Sequence, residues 1–296
     1  MNRPFFHLLL PTLLFFGSLA PVFAADKGIF LTEEVQVKLG DSFMGEREYY
    51  RAITEYKKFL ILFPDSEQAD SVLFKIGTAY YQGDEFEKAA RAFSAVGERF
   101  PKSRYAPTAG YQAGLCFWRL NRLDEAAAAF TSVATRYPAS GDAPRAQLET
   151  SLVAFDRKDV PGSRHELEQF LVTYPQDKRA DKARGAITLL DQDLELPRKS
   201  PVVAGFLSAL APGAGHIYAG HYGDGVTSFF LNGLFIAGTV VAVRQENYAV
   251  AGAVGAIGLP FYIGNIYGAA NAATKWNISV RKDLRNTIAV TLDSPF

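Results

Sequence analysis

Hydrophobic and polar residues are distributed in two different ways along the chain, and the change falls near residue 200. The earlier part is rich in charged residues, and its apolar residues return at fixed positions. In the later part, residues 201–274 hold only three charged side chains, Asp224, Arg244 and Glu246. The pattern predicts that water solvates the earlier part and that lipid solvates the later one.

An aromatic residue followed by proline recurs without a gap every 37 residues, at Phe63-Pro64, Phe100-Pro101, Tyr137-Pro138 and Tyr174-Pro175. Two series of small residues keep the same 37-residue register. In the first, a larger residue follows four positions later: Ala52 and Tyr56, Ala89 and Phe93, Ala126 and Phe130, Ser163 and Leu167. In the second, the partner follows three positions later: Gly40 and Phe43, Gly77 and Tyr80, Gly114 and Phe117, Ser151 and Ala154. Small residues let two helices approach closely, aromatic ones fill the space beside that contact, and proline stops the second helix. Acidic pairs between the helices, Asp84-Glu85 and Asp124-Glu125, suit the dipole at a helix start and are expected to cap its free backbone amides. Each unit is therefore predicted to be a helical hairpin.

These positions resemble the tetratricopeptide repeat. Its pattern of Gly, Tyr, Ala, Phe and Pro is matched by Gly77, Tyr80, Ala89, Phe93 and Pro101, and again by Gly114, Phe117, Ala126, Phe130 and Pro138. The 37-residue period exceeds the usual 34, and it is similar to the variant in periplasmic proteins that assist outer-membrane assembly or bind the Tol–Pal machinery. The resemblance implies an all-α solenoid of helical hairpins within residues 25–197, closed by a capping helix from about Lys178 to Leu194.

Stacked hairpins form a concave groove lined by the first helix of each pair. The resemblance places Val37, Asp41 and Met44 in this groove, then Phe74, Thr78 and Tyr81, then Tyr111, Leu115 and Trp118, and finally Leu148, Leu152 and Phe155. The lining is aromatic and nearly uncharged, which favours an apolar peptide or helix as partner. The alternative is that these side chains pack against adjacent helices or against the chain's own membrane part.

Residues 198–274 are predicted to form a small helical membrane domain. Val226–Val243 is an apolar run of about 27 Å if helical, just long enough to span hydrocarbon, and Tyr248–Ala273 is longer. Pro260 is compatible with a membrane helix, because neighbouring helices can satisfy the backbone carbonyl that it leaves without a partner. The spacing of Gly264 and Gly268 permits close contact with another helix, including one from a second copy of the chain. Pro201–Ala211 spans the bilayer only if its helix continues toward Gly220; otherwise it is a half-spanning or interfacial element.

The glycine-rich stretch Ala211–Gly225 joins these segments. It lacks the lysine of a phosphate-binding loop, so a turn between membrane segments is the better interpretation. The stretch resembles small bacterial membrane domains that carry Pro-Gly-x-Gly-x-x-Tyr-x-Gly before a membrane helix, a resemblance that implies location and helix pairing rather than chemistry. The turn motif is Pro212, Gly213, Gly215, His216, Tyr218 and Gly220.

Both ends of the chain have features of their own. Residues 1–24 read as a secretory signal peptide, with Arg3 before an apolar run and small or β-branched residues at the cleavage-type positions up to Ala24; an uncleaved anchor is the alternative. Residues 275–296 form a basic tail. In it Trp276, Val280, Leu284 and Ile288 recur every fourth residue, which predicts an amphipathic helix at the membrane surface.

Composition excludes several functions. Equal numbers of basic and acidic residues, 31 of each, argue against a nucleic-acid partner. The only cysteine, Cys116, has apolar neighbours and is expected to be a buried thiol. His216, His221 and Asp224 have suitable atoms for a metal, but histidines in a glycine turn are more typical of hydrogen bonding. We expect no catalytic residues, no metal and no cofactor.

The combined interpretation is a bacterial cell-envelope protein: a repeat scaffold in the periplasm, anchored in the inner membrane, that binds a protein or peptide partner and contacts membrane lipid. The positive-inside tendency favours three crossings over two, because three would place Lys275 in the cytoplasm. The alternative function is a channel, transporter subunit or lipid-handling module that the repeats recruit.

Overall fold

The computed structural model describes residues 31–193 and 196–295, and its elements there are all helices. The predicted signal peptide lies outside the described residues. The helices are α1 Glu33–Gly45, α2 Tyr49–Leu62, α3 Ala69–Gln82, α4 Phe86–Arg99, α5 Ala106–Arg119, α6 Leu123–Arg136, α7 Ala143–Asp156, α8 Val160–Thr173, α9 Ala180–Asp193, α10 Pro201–Leu210, α11 Ala214–Ala219, α12 Tyr222–Arg244 and α13 Tyr248–Thr291. The all-α solenoid is confirmed: α1 to α8 form four hairpins, and α9 packs on the last of them.

The 37-residue period fixes where the second helix of each hairpin ends and where the turn inside the hairpin lies. The second helices α2, α4, α6 and α8 all end two residues before a proline of the repeat. The turns inside the hairpins carry a positive φ at one shared position, 62° at Arg47, 58° at Asp84, 57° at Asn121 and 66° at Lys158. Asp84 is thus the left-handed turn residue and does not cap α4, and Glu85 makes no side-chain hydrogen bond there. The capping expected of this pair is therefore wrong, whereas Asp124 and Glu125 do lie in the first turn of α6.

Small residues pair with large ones across each hairpin, as the pattern predicts. A Cβ added to Gly77 would lie 2.6 Å from the Phe93 ring, and one added to Gly114 would lie 2.5 Å from the Phe130 ring. Both rings are buried. Glycine is required at these positions because two helices touch there through an aromatic side chain.

The later part of the chain contains two long apolar helices. α12 measures about 35 Å and α13 about 66 Å at the usual rise per residue. Both are long and apolar enough to cross a membrane, and their most apolar windows are only 11% and 17% buried within the chain. Soluble proteins rarely expose so large a continuous apolar surface. The two helices pack against each other, with Phe235 stacked on Phe261 at 5.3 Å between ring centroids.

The short helices α10 and α11 form a hairpin that turns back on itself. The Ser200 backbone N–H donates to the Tyr218 hydroxyl at 3.0 Å, so the start of α10 and the end of α11 lie side by side. α10 therefore does not continue toward Gly220 as one helix, which leaves the half-spanning and interfacial alternatives. Beyond α12 and α13, residues 284–292 of the tail return to the repeats and join their apolar core.

This return corrects the expected crossing number. Because the tail contacts α7 and α9, the tail and the repeats must lie on the same side of any membrane that α12 and α13 cross. Three crossings would separate them. The amphipathic face of the tail, with Leu284 and Ile288 buried, lies against the repeats and not on a bilayer surface.

Candidate functional site

The concave groove of the solenoid is divided into a filled half and an open half. The first helices α1, α3, α5, α7 and α9 line it. The later groove positions are almost completely buried and share one apolar cluster with the tail: Tyr111, Leu115, Trp118, Leu148, Leu152 and Phe155. The earlier positions Phe74, Thr78 and Tyr81 are only half-buried. The alternative that groove residues pack against the chain's own later part thus describes the filled half.

Apolar and charged contacts together hold the tail in the filled half. Leu284, Ile288 and Leu292 contribute the buried apolar face. The Arg285 guanidinium donates to both carboxylate oxygens of Asp156 at 3.1 Å and lies 5.1 Å from the centre of the Trp118 ring. Bidentate arginine–carboxylate pairs are among the stronger charged contacts in proteins.

Further contacts orient the two ends of the docked segment. The Trp118 indole N–H donates to Asp156 at 2.8 Å, which completes the pairing of that carboxylate. Near the end of the chain, Lys182 on α9 pairs with Asp293. Nearer the membrane, the Arg281 guanidinium lies 4.8 Å from the centre of the Phe155 ring. The tail therefore lies in the groove as an internal helical ligand.

A buried carboxylate, Glu149, lies beneath the end of the tail. It is 4% exposed, and it accepts hydrogen bonds from the Ser294 hydroxyl at 2.7 Å and from the Tyr111 hydroxyl at 3.1 Å. Burial raises the pKa of Glu149, while the hydrogen bonds from Ser294 and Tyr111 and the charges of Arg145 and Arg285 act against that rise. The docked tail is thus linked to the protonation of Glu149.

The open half contains a cavity of about 450 Å³ at the junction of the first repeats. Met44, Phe74 and Thr78 form part of its wall. Its charged groups are already paired, since Asp41 accepts from Lys75 at 2.5 Å and from the Tyr56 hydroxyl at 2.6 Å. An entering segment would therefore meet mainly apolar and aromatic surface.

The turn motif forms the return of the α10–α11 hairpin. Gly213 and Gly220 both have a φ of 87°, a conformation that favours glycine. A Cβ on Gly215 would lie 1.8 Å from the Ala204 carbonyl oxygen, so only glycine lets α11 pass so close to α10. Pro212 precedes this return, and Tyr218 closes the hairpin through Ser200.

Asn265 of α13 fixes the tip of this hairpin. Its side chain accepts from the Gly213 backbone N–H and donates to the Ser208 carbonyl, both at 3.0 Å. His216 is buried beside Gly268, with its ring 3.1 Å from the position that a Cβ there would take. The residues of the motif therefore pair helices within the chain, and Asn265 is a partner that the sequence motif does not include.

The candidate chemical groups are not assembled for catalysis or metal binding in the part of the chain that is described. His221 lies 3.3 Å from Asp224, but no group of three His, Cys, Asp or Glu side chains suited to a metal ion occurs there. Burial raises the pKa of the Cys116 thiol to about 12, so almost no thiolate forms at neutral pH.

Two family profiles match the chain. The tetratricopeptide repeat profile matches residues 37–104 and again 74–141. A family described as an outer membrane lipoprotein matches residues 108–199. The chain therefore contains tetratricopeptide repeats, as the 37-residue register predicts.

Several solved structures are also similar in fold. A tetratricopeptide repeat protein from Parabacteroides merdae has 13% identity and a TM-score of 0.45, over 88% of this chain and 99% of that one. The Rap conjugation gene regulator of plasmid pLS20, in complex with the Phr* peptide, has 15% identity and a TM-score of 0.37, over 92% and 81%. The TPR2AB-domain:pHSP90 complex of yeast Sti1 has 14% identity and a TM-score of 0.33, over 81% and 98%. A search of curated proteins finds no match.

Proposed function

We propose that this protein is a membrane-anchored scaffold of the bacterial envelope, whose repeats bind a protein partner in envelope assembly or maintenance. The observation that carries the proposal is the divided groove, in which the chain's own helix occupies one half and the other half stays open. The outer membrane lipoprotein family match over the repeats supports an envelope role. Complexes of repeat proteins with the Phr* peptide and pHSP90 support binding of protein segments.

The docked tail indicates what the groove accepts. An amphipathic helix with Leu and Ile on one face and arginine beside it fills the later half. The open half presents Phe74, Tyr81 and Met44 in a similar setting, so the proposed partner is an apolar helical or extended segment. The proposed role needs no catalysis and no cofactor.

The exposed apolar surface of α12 and α13 supports the proposed membrane anchoring. Large side chains such as Phe230, Leu234 and Tyr267 are about 70% or more exposed, at 69%, 70% and 76%. Leaving these side chains in water would be unfavourable, whereas lipid solvates them. The proposed anchor is therefore a two-helix span accompanied by the half-spanning α10–α11 hairpin.

We place the repeats in the periplasm and the anchor in the inner membrane. The predicted signal peptide favours export. The basic residues oppose it, because Arg198, Lys199, Lys275, Arg281, Lys282 and Arg285 all lie near the repeat end of the anchor, against Arg244 alone at the other end. The positive-inside tendency is counted over short loops, and long domains translocate largely regardless of charge. The signal peptide therefore outweighs the basic residues in this assignment.

The proposal also includes self-association through α13, but through one glycine of the pair and not through both. Gly268 faces His216 of the same chain, whereas Gly264 has no atom within 4 Å of the position a Cβ would take. A second copy would therefore contact α13 at Gly264 and not at both glycines.

A photo-crosslinking amino acid in the open half of the groove tests the main proposal. Placed at Thr78 in the full-length protein, it should capture one specific envelope protein, and Met44→Glu should abolish that crosslink. The matched control is Thr131, which is exposed on the second helix α6. Equal capture from Thr78 and Thr131, or capture that Met44→Glu leaves unchanged, would refute partner binding in the open half.

A second candidate function is lipid handling by the membrane part. A cavity of about 250 Å³ lies between α12 and α13, and the buried Asn232 in its wall has a carbonyl oxygen without a hydrogen-bond partner in the described structure. A photoactivatable fatty acid should label this cavity, and Gly255→Phe should prevent the labelling. Channel or transporter activity has less support, because Asp224 and Arg244 lie at the two ends of α12.

A further inference from the structure

Three separate segments bring basic side chains together where the repeats meet the membrane part. Two adjoining cavities of about 330 and 520 Å³ lie between the repeats and the tail, and they share Lys158, Ile278 and Arg281 in their walls. Arg198 of the linker borders the first cavity, and Lys282 of the tail borders the second. No motif in the sequence joins these residues, which are up to 124 positions apart from Lys158 to Lys282.

Asn277 holds the linker against the tail at this place. Its side chain accepts from the Lys199 backbone N–H at 2.9 Å and donates to the Lys199 carbonyl at 2.8 Å. This two-point contact fixes the backbone next to Arg198. On the repeat side, Lys158 occupies the left-handed turn between α7 and α8, with a φ of 66°. The basic groups are therefore brought together by backbone elements with defined positions.

The cluster has an excess of positive charge. Among the described residues, Lys158, Arg198, Arg281 and Lys282 have no carboxylate within ion-pair distance. The acidic residue in the described walls, Asp156, already accepts from Arg285 and Trp118. Like charges that converge without a counter-charge repel one another, and a bound anion would relieve this repulsion.

The cluster lies at the level expected for lipid headgroups. The apolar part of α13 ends near Thr274, and Trp276 marks an interface, with the Lys199 ammonium 4.2 Å from its ring centre. Arg281 lies about 10 Å beyond Thr274 along the helix. The headgroup layer extends about 5–8 Å beyond the hydrocarbon core on each side, within reach of the arginine and lysine side chains.

We propose that these cavities form a binding site for the phosphate group of an anionic phospholipid. Lys158, Arg198, Arg281 and Lys282 contact the phosphate, and the exposed Ile278 lies beside the glycerol end of the acyl chains. The site fixes the repeats at the membrane surface and thereby sets the orientation of the groove. This inference rests on the proposed membrane anchoring.

Lipid retention by the full-length protein tests the site. We would purify it in mixed micelles with equal amounts of phosphatidylglycerol and phosphatidylcholine and count bound lipids by native mass spectrometry. The wild type should retain phosphatidylglycerol preferentially. The triple variant Lys158→Gln, Arg198→Gln and Lys282→Gln should bind it at least about tenfold more weakly, because each basic residue near an anionic surface contributes severalfold.

A matched control removes three positive charges elsewhere. The control variant carries Lys102→Gln, Arg136→Gln and Lys178→Gln, three exposed positions on the repeats. The three test positions are exposed as well. The control variant should retain phosphatidylglycerol as the wild type does. If both variants lose it equally, net charge and not this site determines binding, and the proposal is wrong.

Two further outcomes are decisive. If millimolar inorganic phosphate displaces the lipid from the wild type, the site binds free phosphate and the lipid assignment is wrong. Alkaline carbonate extraction separates failure of the site from failure of the anchor. If wild type and triple variant stay in vesicles and retain phosphatidylglycerol equally, only the site is refuted. If the wild type itself is washed off, the anchoring fails too.

Discussion

At the scale of single residues, close helix contacts in both parts of the chain depend on glycine and asparagine. In the repeats, Gly40, Gly77 and Gly114 each face an aromatic ring at a distance that leaves no room for a methyl group. In the later part, Gly215 lies against the α10 backbone, and Asn265 satisfies backbone groups at the hairpin tip. Each of these residues can be tested by substitution.

Gly77→Ala should destabilise the repeats by about 1–3 kcal/mol, because the added methyl group would overlap the buried Phe93 ring. Chemical denaturation of the full-length protein in detergent would measure the change. Gly141→Ala is the control, since no atom lies within 4 Å of a Cβ at that position. A Gly77→Ala protein as stable as the wild type would show that the hairpin has room for the methyl group.

Asn265→Leu should loosen the α10–α11 hairpin. The substitution leaves the buried Gly213 N–H and Ser208 carbonyl without partners, at a cost of about 1–3 kcal/mol. Proteolysis within residues 211–221 and the thermal unfolding midpoint in detergent would report the change. Asn271→Leu is the control because that asparagine is exposed on the same helix. Equal resistance of all three proteins to proteolysis would contradict the role of Asn265.

At the scale of whole elements, α13 is the helix that connects the two parts of the molecule. Its first portion packs on α10, α11 and α12, and its last portion lies in the groove. Because the helix is continuous from Tyr248 to Thr291, the docked tail and the apolar hairpin cannot move independently without bending or unwinding it. A partner that displaces the tail would therefore also shift or bend the part of α13 that packs on α10, α11 and α12.

The stability that Glu149 contributes to the folded protein should fall as the pH rises. Burial raises the pKa of Glu149 above its ordinary value of 4.5, so the folded state binds this proton more tightly than the unfolded state does. The resulting stabilisation is complete below 4.5 and is lost as the pH passes through the raised pKa.

Thermal unfolding midpoints of the wild type and Glu149→Gln, measured from pH 4 upward, should therefore differ in their pH dependence: relative to Glu149→Gln, the wild type should lose stability as the pH rises. Glu67→Gln, at an exposed position, is the control and should keep the pH dependence of the wild type. Identical pH profiles of the wild type and Glu149→Gln would exclude Glu149 as the titrating group.

At the scale of the whole molecule, the tail decides the topology. Repeats, tail and linker all lie at one end of the α12–α13 hairpin, and the turn at Gln245–Asn247 lies at the other. If α12 and α13 form the proposed anchor, a chain with this arrangement crosses the membrane twice.

Cysteine labelling with a membrane-impermeant maleimide would test this topology. With Cys116 replaced by alanine, cysteines at His221 and Asn286 should be labelled from the same side, the periplasm, and one at Gln245 from the other. The wild type is the negative control, because its single cysteine, Cys116, is buried and burial raises its pKa to about 12. Labelling of Gln245 and Asn286 positions from the same side would reject the two-crossing arrangement.

The sequence by itself determined the local structure. The repeat period fixed the hairpins, the prolines fixed where second helices end, and the scarcity of charge between Pro201 and Thr274 marked α12 and α13. These features are local because propensity, helix stop signals and solvation act on neighbouring residues. The four-residue period from Trp276 to Ile288 likewise predicted an amphipathic helix.

Only the tertiary structure decided what covers that amphipathic face. Periodicity shows that Leu284 and Ile288 need an apolar partner, and a bilayer surface and a protein groove meet that need equally well. The groove prevails because Asp156, Glu149 and Lys182 also match Arg285, Ser294 and Asp293, pairings between positions more than a hundred residues apart. Such pairings depend on how α13 leaves the α12 hairpin, which no local pattern encodes. They determine the filled groove, and they place the tail and the repeats on the same side of the proposed anchor.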